Sequence, residues 1–485
     1  MLTGGNRRRI GDRVVRRPRQ AEMAPRRIHT TERRRVLLSP SASALLSLSG
    51  GFAVLIAIGT ALLSLPLSTA GAERADAITA LFTATSAVCV TGLVVVSSAD
   101  YWSPAGQAVL MALMALGGLG IMTAGLVILA AIGRRITLNQ RLIVRDTMGG
   151  ATLGGVITLG RYVIIFAVAI QAVGFIALFA RLIFEYSIGD ALWHAAFHSI
   201  SAFNNAGFTI FEDSDSLSRF QSDPVLLGII GVMIVIGALS FPVVADIYRR
   251  RRMQRWSLDT RLVIVGMVGM WVLGGAVIIV FELANNATLG AMSWPDKITN
   301  GTFQALTART AGFSTIDFAE TRGGTDFIFM FLMFVGGASG SVAGGIKINT
   351  LMVLVFAGLS SVGGRQRTEM YRRELPSAQV ARALAIVLLA ALAVIAIVTA
   401  LALTETASLD SGRFHFMDVL FEATSAFGTV GLSRGITPDL SDPGKLIVTL
   451  AMYLGRMGPL TIALGLALRE RRAVYRFAEE RVRIG

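Results

Sequence analysis

Ala84-Thr85-Ser86-Ala87-Val88-Cys89-Val90-Thr91-Gly92-Leu93 is a short phrase with a polar core and a terminal glycine, set between long apolar runs. Three further stretches vary it: Ser199-Ile200-Ser201-Ala202-Phe203-Asn204-Asn205-Ala206-Gly207-Phe208, Leu306-Thr307-Ala308-Arg309-Thr310-Ala311-Gly312-Phe313 and Ala423-Thr424-Ser425-Ala426-Phe427-Gly428-Thr429-Val430-Gly431-Leu432. The copies stand roughly a quarter of the chain apart, too long a period for a solenoid. Four copies of one unit imply four walls around one axis.

Working outward, each phrase is bracketed by a pair of apolar runs, at 44–69 and 105–132, 158–184 and 225–248, 260–284 and 325–360, 379–404 and 445–468. Each run is long enough to cross a hydrocarbon layer of about 30 Å. The chain is 53% hydrophobic and only 16% charged, and its mean hydropathy is +0.64. That composition excludes an ordinary soluble domain. The segments leading into the phrases, Ala77 to Ser86, Ala191 to Ser201, Ile298 to Thr307 and Phe416 to Ser425, are too short to span and should descend partway and return.

Charge orients the assembly. Net charge is +14, and the basic residues gather in an arginine-dense N-terminal arm (1–43), around Arg134 to Arg145, Arg249 to Arg255, Arg365 to Arg373, and in the tail from Arg469. If every run spans once, all of these lie on one side, which places both termini in the cytoplasm of a multi-pass plasma-membrane protein. The arm is expected to be disordered and to meet anionic membrane lipids rather than nucleic acid. The opposite connections carry Glu73, Asp76, Glu212, Asp213, Asp215, Asp317, Glu320, Glu405, Asp410, Asp439 and Asp442, a negative mouth that would concentrate cations. The single cysteine, Cys89, forbids an intrachain disulfide.

Non-helical backbone inside a membrane is tolerated where protein or a water-filled path satisfies its polar groups. Glycine lets the chain turn through positive φ with its carbonyl aimed inward, and rings of carbonyls can replace the hydration shell of K+. The expected filter is therefore Val90-Thr91-Gly92, Asn205-Ala206-Gly207, Thr310-Ala311-Gly312 and Thr429-Val430-Gly431, with the K+ ion on their backbone carbonyls. Ser86, Ser201, Thr307 and Ser425 should hold the loops. Asn204, Asn205 and Arg309 should brace loop backbone by hydrogen bonds. His194 and His198 have metal-ligand spacing but no third ligand, which favours a coincidence of one helical face. There is no HExxH, no nucleophile–base pair and no strand–GxGxxG–helix, so neither an enzyme nor a nucleotide-binding fold is expected.

The sixth run is interrupted by Gly336-Gly337-Ala338-Ser339-Gly340-Ser341-Val342-Ala343-Gly344-Gly345-Ile346-Lys347. Each glycine costs a helix about 1 kcal/mol relative to alanine, so this stretch should break the span near mid-membrane and act as a gate, with a static kink as the alternative. Lys347 is open between a gating charge and a residue snorkelling at the cytoplasmic border. Arg456, deep in the last run, should face the protein interior and find a partner.

These phrases, in this order, resemble the four pore loops of the Trk/Ktr/HKT superfamily of potassium transporters, over about residues 44 to 470. Eight spans without an extra N-terminal pair, together with Gly455-Arg456-Met457-Gly458-Pro459-Leu460-Thr461, point to the bacterial Ktr membrane subunit, the KtrB type. The resemblance implies an all-α membrane protein of four tandem membrane–pore–membrane repeats (44–132, 158–248, 260–360, 379–468), with eight transmembrane helices and four re-entrant loops around a pseudo-fourfold ion pore. The tail is 469–485. It implies that 336–347 is the intramembrane gating loop, with Gly336, Gly337, Ser339, Gly340, Ser341, Gly344, Gly345, Lys347 and Arg456 as gate residues. Arg456 would sit by the ion path below the filter. Potassium selectivity follows from a glycine in all four loops, where some plant relatives carry serine in the first and favour sodium. A sodium-permeable or sodium-coupled transporter of the same fold is the alternative. A homodimer seated on a cytosolic RCK-type ring, which would carry any nucleotide, is also implied.

Overall fold

A computed structural model describes residues 40–71, 73–133, 155–212, 216–365 and 367–468. The arginine arm before residue 40, the Arg134 to Arg145 connection, Asp213, Asp215 and the tail from Arg469 lie outside the described residues.

The described chain is helical: α1 (Pro40–Leu63), α2 (Ala77–Cys89), α3 (Pro104–Gly133), α4 (Gly155–Leu182), α5 (Ile188–Asn204), α6 (Pro224–Ala238), α7 (Phe241–Arg249), α8 (Leu258–Glu282), α9 (Trp294–Thr307), α10 (Gly323–Phe334), α11 (Ile348–Val362), α12 (Ser377–Thr404), the short α13 (Thr406–Asp410), α14 (Phe416–Gly428) and α15 (Asp442–Leu468). A two-residue hairpin, β1 (Glu369–Met370) with β2 (Arg373–Glu374), is the sheet among the described residues. Three helical segments, Gly160–Leu182, Leu258–Glu282 and Ser377–Thr404, are long and apolar enough to cross a membrane. The bent pair α6 and α7 passes the same test together.

Helices α2, α5, α9 and α14 carry the four phrases; α2 and α14 start at Ala77 and Phe416 as the sequence indicates and run three residues further, whereas α5 and α9 start three and four residues earlier, at Ile188 and Trp294. Asp76 accepts from the Ile78 N–H at 3.1 Å, Ser187 from Asp190 N–H at 3.3 Å and Ser293 from Asp296 N–H at 3.4 Å. At α14 the roles reverse: the His415 N–H donates to Asp418 at 2.7 Å. Capping oxygens satisfy donors that a first turn otherwise leaves without partners. All four helices are sheathed by neighbours, burying Phe82, Phe197, Phe303 and Phe421 among others.

The packing closes on itself. In the first, second and fourth groups the two outer helices clasp the short one, as α1 and α3 do α2, whereas in the third α9 packs on α8 and not on α10. Between groups, α3 meets α5, α6 meets α9, α10 meets α14, and α15 returns to α2.

Polar ties fasten the ends of each group's flanking helices. The Ser103 hydroxyl donates to Leu67 O at 2.6 Å, Arg181 pairs with Asp223 at 2.8 Å, Glu282 accepts from the Arg322 N–H at 2.9 Å, and Glu405 from the Ser441 N–H at 3.1 Å. Glu282 and Glu405 are buried, and these bonds offset the cost of taking their carboxylates out of water.

Two breaks shape the assembly. The interruption expected in the sixth run is present, with non-helical backbone from Val335 to Lys347 between α10 and α11. The fourth run, read above as one uninterrupted stretch at 225–248, is also broken: α6 and α7 meet at an angle of 98°. Pro242 explains it, because its ring cannot donate to Ala238 O and a helix stops there.

Candidate functional site: a ring of glycines above a buried loop

The four short helices end in the same way. Val90, Asn205 and Thr429 close α2, α5 and α14 in the left-handed region, at φ 57°, 56° and 51°, and Thr310 follows α9 at φ 68°. The chain then turns outward and reaches Gly92, Gly207, Gly312 and Gly431, all at positive φ, where L side chains are strained. Backbone bonds hold each turn: Thr91 N–H to Ser86 O at 2.8 Å, Ala206 N–H to Ser201 O at 2.8 Å, Ala311 N–H to Thr307 O at 3.0 Å and Val430 N–H to Ser425 O at 2.9 Å.

The Ser86 hydroxyl accepts from the Gly92 N–H, and that of Ser425 from the Gly431 N–H, both at 3.1 Å. The Ser201 hydroxyl instead donates to Phe208 O at 2.8 Å. Thr307 breaks the pattern, since its Oγ1 is buried without a hydrogen-bond partner.

The four glycines form a closed ring. A Cβ on Gly92 would fall on Ala206 O and Gly207, one on Gly207 on Ala311 O and Gly312, one on Gly312 on Val430 O and Gly431, and one on Gly431 on Thr91 O and Gly92. In every case the oxygen would be nearer than 3.0 Å. The carbonyls of Thr91, Ala206, Ala311 and Val430 therefore crowd a common centre, with no space for a side chain at any glycine. The C-termini of four helices converge there, and their dipoles add partial negative charge. Such a site suits a cation held by neutral oxygens.

Beneath the ring lies the loop Val335–Lys347. The Gly336 N–H bonds Ile346 O at 2.8 Å and the Ile348 N–H bonds Gly337 O at 3.1 Å, pinching the loop at its base. Gly337, Ser341, Gly344 and Gly345 are buried, whereas Ser339 and Gly340 are exposed at the tip. The loop approaches so closely that a Cβ on Gly344 would strike the Thr429 side chain, and one on Gly336 would lie 3.3 Å from Thr310 Cγ2.

Two cations attend it. Arg456, only 4% exposed, donates to Val342 O on the loop and, at 3.2 Å, to Gly117 O on α3. Its partners are carbonyls. Lys347 folds back onto the carbonyls of Ala343 and Gly344, so its ammonium satisfies loop backbone.

Of the other sequence candidates, Asn204 donates to Ile200 O at 2.9 Å, and the Asn205 amide faces the carbonyls of Ile234 and Ala202 at 3.2 Å. Arg309 departs from expectation. It is buried, yet its Nε and one terminal nitrogen lack any hydrogen-bond partner, so it does not brace the loop as sequence reasoning proposed. His198 bonds His194 O through Nδ1 at 2.7 Å and accepts from the Ile210 N–H through Nε2 at 3.4 Å, while its ring stacks on Phe211. Both nitrogens are thus engaged by protein.

Sequence reasoning missed Arg434. It pairs with Asp418 at 2.6 Å and with buried Asp326, and donates to Phe318 O at 2.8 Å, fastening the outward limb of the fourth loop to the third group. The signal was a lone arginine three residues past Gly431 in an otherwise acidic region. Arg434→Ala leaves two largely buried carboxylates without their cation and should cost about 3–5 kcal/mol. Thermal unfolding in detergent measures the loss, and Arg434→Lys should recover only part of it because one ammonium cannot fork between both acids.

The sequence profile of TrkH, described as a cation transport protein, matches residues 48–473. The chain is 37% identical over 420 residues to the Ktr system potassium uptake protein B of Bacillus subtilis, covering 87% of this chain and 92% of that one. It is 35% identical over 440 residues to the potassium/sodium uptake protein NtpJ of Enterococcus hirae, covering 90% and 96%. Among solved structures, the potassium transporter TrkH of Vibrio parahaemolyticus superposes with a TM-score of 0.69 at 19% identity, over 90% of this chain and 86% of that one. Closed helical packing, four glycine-terminated turns and these matches lead to one conclusion: the chain belongs to the TrkH family of membrane cation transport proteins.

Proposed function

We propose that this protein takes up K+ across the plasma membrane through one pore per subunit, with the glycine ring as its selectivity filter. The observation that carries the reading is the closed circle of backbone carbonyls at Thr91, Ala206, Ala311 and Val430. Cations gather at the acidic outer mouth, shed water onto the carbonyls of residues 90–92, 205–207, 310–312 and 429–431, and move inward down the membrane potential. That potential contributes roughly 2.3 kcal/mol per charge at 100 mV. The four helix groups act as four membrane–pore–membrane repeats, eight spans in all, with both termini cytoplasmic.

The loop Val335–Lys347 is the gate. It sits against Thr310 and Thr429, and Arg456 clamps it to α3 while placing a positive charge below the filter. The clamp holds the path shut, and release of the loop opens it. The name Ktr system, carried by a relative, fits a protein that works with further components; on the family resemblance the chain is a membrane subunit that dimerises and is controlled by a cytosolic RCK-type nucleotide-binding ring docked on the basic connections.

A sodium-permeable or sodium-coupled transporter is the second reading, favoured by the likeness to a protein named for potassium and sodium uptake. Tracer uptake by the purified protein in liposomes separates the two. Flux with K+ that Na+ neither replaces nor stimulates supports the first; Na+ flux of similar size, or K+ flux that requires Na+, overturns it.

Ser425→Ala tests the filter's scaffold. It leaves the partly buried Gly431 N–H without its acceptor, a cost of about 1 kcal/mol. Expression should be retained while the K+ to Na+ uptake ratio falls several-fold in a competition assay.

A further inference from the structure

The carbonyls of Gly237 and Ala238 at the end of α6 are left free by the break. In a continuous helix they would accept from residues 241 and 242, but residue 242 is a proline without an N–H. They accept instead from the gate loop: Ala338 N–H to Ala238 O at 3.0 Å and Val342 N–H to Gly237 O at 3.4 Å. Val342 is also the residue whose carbonyl Arg456 holds. The joint between α6 and α7 is thus the ledge on which the loop rests.

The far side of that joint carries an unusual surface. Helix α7 leaves α6 at 98°, so where α6 runs along the membrane normal α7 lies near the membrane plane. Its end and the turn beyond it expose Tyr248, Arg249, Arg250, Arg251, Arg252, Met253 and Arg255. Arg250 is occupied by Asp246 at 3.0 Å, but Arg249, Arg251 and Arg252 have no carboxylate partner among the described residues. On the inner face the helix is anchored by Val243, which is buried, and by Asp246, which accepts from the Ser257 N–H at 2.8 Å and the Thr260 hydroxyl at 2.7 Å. A helix tethered to protein through Val243 and Asp246, whose end and following turn present Tyr248 and a cluster of arginines, describes a basic segment placed at the surface of an anionic leaflet.

We propose that Tyr248 to Arg255 binds anionic lipid headgroups of the cytoplasmic leaflet and, by holding α7 in the membrane plane, keeps the kink bent and the gate loop docked. Anionic lipid is then a brake on the pore. The proposal rests on the membrane orientation given above.

The test uses the full-length protein, without any cytosolic subunit, in vesicles of phosphatidylcholine alone or with phosphatidylglycerol. Wild-type K+ uptake should be lower in the anionic vesicles, by on the order of tenfold for partial transmission of the attraction of three arginines, and high salt should lessen the difference. Arg249→Gln/Arg251→Gln/Arg252→Gln should lose the difference and match wild type in phosphatidylcholine. Wild-type uptake indifferent to phosphatidylglycerol, a variant that keeps the response, or a variant altered equally in both vesicles would overturn it; the last outcome assigns the arginines to structure or to a protein partner. Native mass spectrometry of retained phosphatidylglycerol reads the same surface without flux, the variant being expected to retain less and equal retention refuting the site. Absent wild-type uptake in phosphatidylcholine would count against the pore reading, and retention would still decide the lipid site.

Discussion

Gly312→Ser should abolish growth rescue at limiting K+ in a transport-deficient cell, and the protein that does reach the membrane should no longer prefer K+ over Na+. The serine Cβ would be driven into Val430 O, with Thr91 O only 3.3 Å away, from a backbone at φ +75°. Left-handed geometry alone costs a non-glycine residue about 1–2 kcal/mol. The larger effect is geometric: the fourth turn must retreat, and a ring with one displaced carbonyl cannot match the hydration shell it replaces. Gly92→Ser presses on Ala206 O by the same logic and should behave alike. Rescue by Gly312→Ser with unchanged selectivity sinks the filter assignment.

Deleting the loop from Gly336 to Gly345 should raise K+ flux and make it insensitive to any cytosolic regulator. Because such a deletion can disturb α10 and α11, Arg456→Gln provides the conservative counterpart. It keeps a polar side chain with an amide donor but is too short to reach both Val342 O and Gly117 O and removes the charge, and a hydrogen bond to a charged group contributes about 1.5–3 kcal/mol. Loss of that clamp should raise flux by roughly ten- to a hundredfold where the closed loop limits conduction, since each 1.4 kcal/mol is a factor of ten. Uptake in liposomes measures both variants. Unchanged flux in the two of them removes the gating role and leaves Val335–Lys347 as a static plug.

Much of this arrangement is written in local chemistry. The glycine-terminated phrases stand out because positive φ admits few other residues, and Gly336 to Gly345 stands out because so many glycines cannot continue a helix. What the sequence hid are features whose partners are distant or are backbone. The break at Ala238 is signalled only by Ser240-Phe241-Pro242 within a run whose hydropathy continues unbroken. Arg456 pointed inward by its depth, but its partners, Val342 O and Gly117 O, leave no side-chain signature. Arg434 reaches Asp326 and Asp418 across two helix groups, a juxtaposition that exists only once the ring has closed. Arg309 runs the other way: a bracing role was expected from its place in the third phrase, and two of its buried nitrogens have no hydrogen-bond partner.

The most direct test of the central claim is to locate the ion. Crystals of the protein grown with Rb+ or Tl+ in place of K+ should show an anomalous peak on the axis of the ring, coordinated by the carbonyl oxygens of Thr91, Ala206, Ala311 and Val430. A ring without a peak, with the heavy cation bound elsewhere along the path, would contradict the assignment of these four glycines as the selectivity filter.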